Sequence, residues 1–577
     1  MVSRYLTMSD GVKIAISIYL PTPIKENERL PTMLHQTRYW RSVEYRWPLS
    51  AIKEPLPRGH IGTYAKRFIA NGYAWVDVDV RGSGASFGNR PYAYTPREIK
   101  DGAEVVDWII RQSWSNGKVG AIGISYGGAA AEMLLVNQHP AVKAVAPMFS
   151  GFDLYPELAF PGGIHLTWFT RTWTYINNQL DQNLLPFSGW VAKLLVRGVK
   201  PVDEKTGVSL LMEALQDHQA NWNPHKEALG IIFRDDAPPS HMTSSIDRLS
   251  ARHYAKEIME SGAAIYSYSG WFDGGYPLAA IRRHLAYNHQ SNKLILGPWD
   301  HGGKRNISPF NQGPSAFDHQ GELLKFFDFY LKGLDSGIAK EPPIHYFTMG
   351  EERWKTAPTW PPQATLTSYF LGPDNRLHKK GPVTMAGSDR YQVDPSAGTG
   401  NQSRWDTLVG KSLTDPYPDR MTQDLKLLSY TSRPLKQDVE VTGHPILTLF
   451  LSSTTSDATV FAYLEDVDTQ GQVAYVTEGE LRALHRKLSA TQVEHLNGLP
   501  HRTFKRSDAL PLNPGETAKL VFDFLPTSYQ FKKGHRIRLA LAGTDKDHFA
   551  SISDQSRTLT IFHSPHQTSR LELPVVP

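Results

Sequence analysis

The chain has 577 residues, which is more than one hydrophobic core usually supports, so two or three domains are expected. The net charge is only +5 and no long run of lysine and arginine occurs, so neither a nucleic-acid partner nor a membrane partner is expected. The chain contains no cysteine, which excludes disulfides, thiolate catalysis and cysteine-ligated metals.

The N-terminal residues lack the apolar run of a signal peptide. No stretch of about 18 apolar residues, long enough to span a membrane, occurs along the chain. The sequence as written therefore predicts a cytoplasmic protein, or a periplasmic or secreted one if a signal peptide has been removed.

Short apolar runs alternate with helical patterns in the first part of the chain. Residues 14–20, 32–36 and 74–80 predict strands, and residues 64–71 and 99–112 predict helices. Strands that alternate with helices are typical of a largely parallel sheet that is covered on both faces. An α/β core is therefore predicted here.

The chain changes in character after about residue 150. Aromatic side chains cluster over residues 151–250 without the alternation of a strand, and residues 208–218 have a helical pattern. We therefore predict that a helical insertion interrupts the α/β region.

The α/β pattern then resumes and is followed by a region of strands. Residues 264–268 and 293–296 predict strands, and residues 277–287 predict the helix between them. Later strands are separated by clusters of glycine, proline, aspartate and asparagine, and examples are residues 445–452, 459–464, 519–524 and 536–541. Many short strands without helices are typical of a β-sandwich or jelly roll.

A candidate nucleophile lies in the segment Gly123-Ile124-Ser125-Tyr126-Gly127, which has the pattern G-x-S-x-G. The pattern alone is common, but here a strand-like run precedes it and a helix-like run follows it. That is the setting of the nucleophile elbow of α/β-hydrolases, where the serine lies beside the free N–H groups of a helix N-terminus. The alternative is a glycine-rich turn that only packs helix on sheet.

A serine hydroxyl needs a base that removes its proton, and the base needs an acid that orients it. In α/β-hydrolases the acid and the histidine follow the serine in chain order, in loops after late strands of the sheet. Asp273 follows the strand predicted at 264–268, and His301 follows the strand predicted at 293–296. They are therefore the predicted acid and base.

Three other residues compete for these two roles. His35 lies in an early strand and His165 lies in the aromatic insertion, so neither follows an acid in a late loop. Asp300 adjoins His301, but neighbouring residues in a loop point apart and do not readily share a hydrogen bond. Asp273 is therefore favoured over Asp300.

At these residues the sequence resembles the family of cocaine esterases, which also includes the α-amino acid ester hydrolases and the X-Pro dipeptidyl-peptidases. The matching segments follow in order along essentially the whole chain, at residues 9–13, 80–88, 114–120, 123–127, 161–163, 270–274, 297–301, 346–354 and 441–445. The resemblance implies an α/β-hydrolase core over residues 1–150 and 251–344, an inserted helical cap over residues 151–250, and a C-terminal jelly-roll domain over residues 345–577.

The resemblance also implies the groups that bind the oxyanion. Tyr39 matches the family's tyrosine after the second strand, and the N–H of Tyr126 would be the other donor. A hydroxyl suits this task because it can point at the oxygen on which negative charge develops. The alternative is that Tyr39 only packs.

Arg41 stands two positions after that tyrosine, where the α-amino acid ester hydrolases carry an acidic residue for the substrate ammonium. It is predicted to contact the substrate and to favour a neutral or acidic acyl group. Phe160, Trp168 and Trp173 are the predicted acyl-pocket residues of the cap, although cap aromatics also form cap core.

Two acidic segments have alternative interpretations. Asp77 and Asp79, with Arg81, resemble a metal site or an acid/base pair, but an ion-pair network at the sheet edge is favoured because the residues alternate along an inner strand. Residues 466–471 resemble the start of a calcium loop, but the twelfth position is Thr477, so a hairpin turn is predicted. No metal-ligand spacing occurs, so neither a metal nor another cofactor is expected.

The sequence therefore predicts a serine hydrolase that cleaves a small-molecule ester or amide through an acyl-enzyme. Aminoacyl ester hydrolysis, acyl transfer to amines and dipeptidyl-peptidase action remain open as alternatives. A carbohydrate-binding protein on an inactive hydrolase scaffold is a more distant alternative, against which the complete triad argues. The sequence leaves open whether the protein forms a homo-oligomer.

Overall fold

The computed structural model describes the chain except residues 24–26, 50–58, 188, 240–244, 288–290, 380–386, 419, 492, 494–495, 497 and 553–556. The described residues form two large sheets, and helices surround the first of them. The strands and helices predicted for the α/β core are confirmed, with bounds that differ by a few residues.

Within the described residues, the first sheet has ten strands: β1 (Val2–Thr7), β2 (Lys13–Tyr19), β3 (Leu30–Thr37), β5 (Ala74–Asp79), β6 (Ser115–Ile124), β7 (Val142–Met148), β9 (Ala264–Gly270), β10 (Lys293–Gly297), β13 (Ile344–Thr348) and β14 (Arg353–Ala357). Their order is β1-β2-β5-β3-β6-β7-β9-β10-β13-β14. In this order, neighbouring strands from β5 to β13 are parallel. At the two edges of the sheet, β1 and β2 and the final strand β14 pair antiparallel with their neighbours. Every residue of β3 and β5 is buried, as expected of a parallel sheet covered on both faces.

Helices cover both faces of this sheet: α1 (Gly59–Ala70), α2 (Pro96–Ile110), α3 (Tyr126–Met133), α9 (Tyr276–Ala286) and α10 (His319–Phe327). Trp75 packs with α1 and α10, whereas its neighbour Val76 packs with α2 and α3, because successive side chains of a strand point to opposite faces. Helix α2 begins earlier than predicted, because the Thr95 hydroxyl accepts a hydrogen bond from the Glu98 N–H and Pro96 fits the first helical position.

The region between β7 and β9 is largely helical, as predicted. It contains α4 (Thr167–Asp181), α5 (Trp190–Leu195), α6 (Gly207–Asp217), α7 (Pro224–Ala228) and α8 (Ala255–Glu260). It also contains the strand β8 (Val196–Val199), which pairs with β4 (Val43–Tyr45). The sequence did not predict this two-stranded ribbon, because each strand is too short to show alternation and its partner is distant in the chain.

The second sheet has thirteen strands within the described residues: β15 (Thr365–Gly372), β16 (Arg376–His378), β17 (Ser388–Gln392), β18 (Leu428–Ser432), β19 (Val439–Gly443), β20 (Ile446–Ser453), β21 (Thr459–Val467), β22 (Val473–Arg482), β23 (Ala518–Asp523), β24 (Thr527–Phe531), β25 (Arg536–Ala542), β26 (Thr558–Phe562) and β27 (Arg570–Val575). They form the predicted C-terminal β-sandwich. The antiparallel pairing of β21 with β22 confirms the hairpin predicted in place of a calcium loop.

Smaller elements complete the fold. They are the hairpin β11 (Arg305–Ser308) and β12 (Asn311–Pro314), the helix α11 (Arg420–Asp424), and short 3-10 or π turns at Leu134–Asn137, Tyr155–Ala159, Pro161–Gly163, His218–Ala220, Ile246–Leu249, Ala251–Tyr254, Asp328–Lys332, Ile338–Lys340, Asp406–Val409, Ala483–His485 and Arg506–Asp508. None of the helices in the described part of the chain has the length and apolarity needed to cross a membrane.

The first sheet extends beyond the boundary expected at residue 344. Strand β13 pairs with β10, and β14 pairs with β13, so the sheet ends at Ala357. A strand run looks the same whether it joins the preceding sheet or starts a new one, so the sequence did not predict this assignment. One cluster of buried apolar side chains joins the two sheets, and Trp271, Leu296 and Leu447 belong to it.

Candidate active site

The turn between β6 and α3 holds Ser125 in a strained conformation. Its φ is 61° and its ψ is −121°, a combination that few residues other than glycine adopt. The Ser125 N–H donates to the carbonyl oxygen of Met148 at 3.0 Å. A Cβ at Gly123 would stand 2.2 Å from the carbonyl carbon of Gly127, so only glycine fits there. This strand–turn–helix geometry is that of a nucleophile elbow.

His301 and Asp273 meet beyond the ends of two neighbouring strands. Asp273 follows β9, His301 follows β10, and Nδ1 of His301 lies 2.9 Å from Oδ1 and 3.0 Å from Oδ2 of Asp273. Asp273 is fully buried. Because Nδ1 faces the carboxylate, Nε2 is the ring nitrogen left for proton exchange. His301 and Ser125 line the same cavity.

Asp300 makes different contacts from those of Asp273. It is fully buried, and its Oδ1 accepts a hydrogen bond from the Arg305 N–H at 3.1 Å. Burial raises the pKa of the Asp300 carboxyl to about 6. No hydrogen bond between Asp300 and His301 occurs among the described residues. The imidazole is therefore bonded to Asp273 and not to its neighbour in sequence.

The loop that carries Asp273 is held by residues of the C-terminal region. The buried Arg404 donates to the carbonyl oxygens of Trp271 at 2.8 Å and Gly274 at 3.0 Å. The Thr407 hydroxyl lies 3.1 Å from Oδ1 of Asp273 and 2.7 Å from the carbonyl oxygen of Arg404. The sequence did not indicate either residue, because each contact joins residues at least 130 positions apart and no local pattern predicts such a contact.

Tyr39 lies beside Ser125, the predicted nucleophile. Its hydroxyl is hydrogen-bonded to the side chain of Ser125 and accepts from Nε1 of Trp173 at 2.9 Å. Burial raises the pKa of Tyr39, so the hydroxyl keeps its proton and can donate it. Tyr126 is the first residue of α3, where a backbone N–H has no acceptor within the helix.

Tyr276 is a further residue next to Ser125. Its hydroxyl is hydrogen-bonded to the Ser125 side chain, and its ring centroid lies 5.6 Å from that of His301. It is the first residue of α9, three positions after Asp273. Its place after the acid loop is the one signal by which the sequence could have indicated it.

Ser125 and His301 open into a cavity of about 490 Å3. Most of its wall is apolar and comes from the cap, the α/β core and the C-terminal region, and it includes Ile61, Ile124, Trp173, Ile176, Leu180, Leu185, Phe187, Leu408 and Val409. A cavity of this size and character accommodates a small, largely apolar molecule.

Of the three predicted acyl-pocket aromatics, Trp173 lines this cavity and the other two do not. Phe160 is buried in the core and stacks on Tyr155, with ring centroids 4.9 Å apart. Trp168 packs toward the C-terminal region, 5.5 Å from the ring of His548. The prediction is corrected for these two residues: aromatic composition marked the cap but could not indicate which side of it faces the active site.

The acidic residues of β5 are engaged by neighbouring side chains. Asp79 forms an ion pair of the predicted kind and Asp77 is hydrogen-bonded to a histidine, whereas Arg81 pairs with Asp10 and Asp101 instead. Asp77 is bonded to His35, and Asp79 accepts from Nη1 of Arg41 at 2.9 Å. Arg41 also lines the cavity, but it is buried and Asp79 balances its charge. Its position in the wall is compatible with the predicted substrate contact, but its charge is paired, which corrects the expectation that this cation favours an acidic acyl group.

We predict that Arg41→Leu destabilises the protein by about 3–5 kcal/mol, because it leaves the Asp79 carboxylate buried without its cation. Thermal and urea unfolding of the purified variant measure the loss. The control is Arg197→Leu, which breaks a 3.1 Å ion pair with Glu44 at an exposed position. Its effect should stay below about 1 kcal/mol. Equal effects of the two substitutions would contradict a stabilising role for the buried pair.

Comparisons with known proteins agree with this architecture. The family model described as X-Pro dipeptidyl-peptidase (S15 family) matches residues 10–303, and the model of the X-Pro dipeptidyl-peptidase C-terminal non-catalytic domain matches residues 336–572. A Mycobacterium bovis protein provisionally named a serine esterase is 51% identical, over 100% of this chain and 95% of that protein. The cocaine esterase of a Rhodococcus strain is 24% identical, over 99% of this chain and 97% of that protein.

A solved structure of a CocE/NonD family hydrolase from Staphylococcus aureus matches with a TM-score of 0.72 at 18% identity. The match covers 100% of this chain and 93% of the Staphylococcus aureus chain. That likeness shows the α/β-hydrolase fold with its C-terminal β-sandwich. The family model and the full-length relative also show the family and the enzyme class. The chain belongs to the X-Pro dipeptidyl-peptidase (S15) family, whose members act on small ester or peptide substrates, and it is a serine hydrolase.

Proposed function

We propose that the protein hydrolyses esters of small, neutral carboxylic acids through an acyl-enzyme on Ser125. The observation that carries this proposal is the meeting of the Ser125 elbow and the His301–Asp273 pair at the wall of one apolar cavity. Each group has the environment that its role requires: a strained turn whose serine lines the cavity, a histidine with one ring nitrogen left for proton exchange, and a buried carboxylate.

Acylation begins when Oγ of Ser125 attacks the ester carbonyl carbon and Nε2 of His301 takes the hydroxyl proton. Asp273 accepts the Nδ1–H bond throughout, which keeps the tautomer and stabilises the imidazolium. The negative charge that develops on the carbonyl oxygen is stabilised by the Tyr39 hydroxyl and the Tyr126 N–H. Tyr39 lies beside Ser125 and Tyr126 begins α3, which supports this role because both groups would need little reorganisation.

The tetrahedral intermediate then breaks at the bond to the alcohol. His301 gives its proton to the leaving oxygen, and the acyl group stays on Ser125. Water is the nucleophile of the second step: it gives a proton to Nε2 of His301 and attacks the acyl carbon. The acid is then released as Ser125 takes the proton back from His301. Ester and water are consumed, and acid and alcohol are formed.

The chemistry of the cavity favours neutral esters over substrates with a free amino group. Among the described residues that line it, Asp77 is the one acid, and it is already hydrogen-bonded to His35. A substrate ammonium would therefore find no free carboxylate there. This argues against aminoacyl esters and X-Pro peptides as the best substrates of this chain, although relatives carry the name Xaa-Pro dipeptidyl-peptidase.

A panel of chromogenic substrates tests the proposal. We expect kcat/KM to be highest for p-nitrophenyl esters of short neutral acids, lower for the matching α-amino esters, and lowest for X-Pro p-nitroanilides. A fluorophosphonate probe should label the wild-type protein at Ser125. Faster cleavage of the X-Pro anilides than of the neutral esters would make peptidase action the better assignment, and absence of labelling would contradict a serine mechanism.

Tyr39→Phe removes one hydroxyl and little volume. If this hydroxyl binds the oxyanion, kcat should fall by about 10²- to 10³-fold, while KM changes little because the ground-state carbonyl carries less charge. Steady-state kinetics on a p-nitrophenyl ester separate the two parameters. The control is Tyr175→Phe on the cap surface, which should keep wild-type kinetics. A loss confined to KM would assign Tyr39 to substrate binding instead.

A further inference from the structure

A second histidine–aspartate pair lies in the wall of the same cavity. His35 of β3 and Asp77 of β5 are register partners in parallel strands, and Nδ1 of His35 lies 2.9 Å from Oδ1 of Asp77. Both residues are buried, and both line the cavity that contains Ser125. The proposed acyl transfer uses neither of them.

The orientation of this imidazole is fixed by side chains of the neighbouring strand β5. Nε1 of Trp75 donates to the same Asp77 oxygen at 3.0 Å, so the carboxylate is held in place. A carboxylate only accepts hydrogen bonds, so the proton of the neutral His35 ring belongs on Nδ1. Nε2 is then left with a lone pair and acts as a hydrogen-bond acceptor.

This acceptor stands close to the nucleophile elbow. A Cβ built on Gly127 would lie 3.2 Å from Nε2 of His35, and Gly127 is two residues after Ser125. No further hydrogen bond of the His35 ring occurs within the described part of the chain. The wall of the cavity also includes apolar side chains such as Ile61 and Ile124, so a buried polar acceptor is distinctive among them.

We propose that His35 and Asp77 form a substrate-recognition subsite that accepts a hydrogen bond from a hydroxyl group of the ester. A buried acceptor that stays unpaired in the complex costs free energy, so a substrate that supplies the donor is selected over one that does not. The inference rests on the proposed esterase function and adds the substrate class, which is hydroxyl-bearing esters.

A neutral donor suits this subsite better than an ammonium. Arg41 and Lys304 are the Lys and Arg side chains among the described residues that line the cavity. Asp79 balances the charge of Arg41 but not that of Lys304, so Lys304 adds positive charge that disfavours an ammonium. The Asp77 carboxylate is engaged by two donors, Nδ1 of His35 and Nε1 of Trp75. Both donors bind Oδ1, and Asp77 is almost fully buried, so Nε2 of His35 is the acceptor that the subsite offers, and one hydroxyl satisfies it.

Matched esters test the subsite in the wild-type protein. On the acyl side, the p-nitrophenyl esters of 2- and 3-hydroxybutanoate are compared with butanoate and the corresponding methoxybutanoates. On the alcohol side, 2-hydroxyethyl benzoate is compared with ethyl and 2-methoxyethyl benzoate. For one position of the hydroxyl group, we expect kcat/KM of the hydroxy ester to exceed kcat/KM of both the deoxy and the methoxy ester by about 10- to 100-fold. Equal rates across every set, or a methyl ether as good as its alcohol, would overturn the proposal.

Two substitutions assign the preference to His35. His35→Leu should bring the ratio of hydroxy to deoxy ester to within about threefold of unity, because no acceptor remains, whereas His35→Gln should retain part of it, because the amide oxygen still accepts. A ratio that persists in His35→Leu would overturn the proposal. If His35→Leu does not fold, the wild-type ratios still decide. Failure of this subsite is distinguishable from failure of the esterase proposal, because Ser125-dependent hydrolysis of the deoxy esters would continue.

Discussion

Ser125→Ala is expected to lower kcat by about 10⁴-fold or more and to leave the fold intact. Alanine removes the one oxygen that attacks the substrate, and because the members of a triad act as a unit, little catalysis survives the loss of any of them. The backbone N–H that closes the elbow on Met148 is unchanged. Hydrolysis of p-nitrophenyl butanoate gives kcat, and circular dichroism with thermal unfolding reports on the fold.

The control for this experiment is Ser150→Ala. Ser150 is a buried serine just beyond the end of β7, and it contacts Arg283 rather than the cavity. It should keep activity within about tenfold of wild type and should still react with a fluorophosphonate, whereas Ser125→Ala should not react at all. Residual activity of Ser125→Ala within tenfold of wild type would remove this serine from the mechanism.

Asp273→Asn is expected to lower kcat by about 10³- to 10⁴-fold. An amide in this position can donate to Nδ1 of His301, which favours the tautomer whose Nε2 carries a proton and cannot accept one from Ser125. The change is close to isosteric, so the contacts of Arg404 with the loop carbonyls should persist. Single-turnover kinetics on the same ester measure the acylation step directly.

Asp300→Asn is the matched comparison, since it changes the neighbouring buried acid. Asp300 accepts from the Arg305 N–H, which an asparagine oxygen can also do, and its raised pKa means that the carboxyl is easily neutralised in the wild type. Activity should therefore stay within about tenfold of wild type. If Asp300→Asn lost more activity than Asp273→Asn, the assignment of the orienting acid would be reversed.

Local patterns were sufficient to predict most of the fold and the three triad candidates. Apolar alternation indicated β5 and β25, and the glycine spacing around Ser125 indicated the elbow, because each of these signals lies within a few consecutive residues. The chain order of α/β-hydrolases then predicted Asp273 and His301 as acid and base without any knowledge of distance.

Contacts made between distant segments could not be predicted in this way. The pairing of His35 with Asp77 depends on the register of two strands that are 42 positions apart. Arg404 approaches the acid loop from the C-terminal region, and the charge of Arg41 is balanced by Asp79 from another strand. Each depends on tertiary packing, which the side-chain pattern of one segment does not contain.

The support of the acid loop has a consequence for biosynthesis. Arg404, which binds the carbonyls on both sides of Asp273, also donates to the Tyr475 hydroxyl on β22. The sandwich that contains β22 is completed only by β27, the last strand of the chain, which pairs with β15 and β20. A ribosome has therefore made the elbow, the base and the acid long before it makes the residues that complete their support. We expect the nascent chain to stay catalytically silent until β27 has emerged, so that hydrolytic activity marks a chain whose C-terminal region has folded.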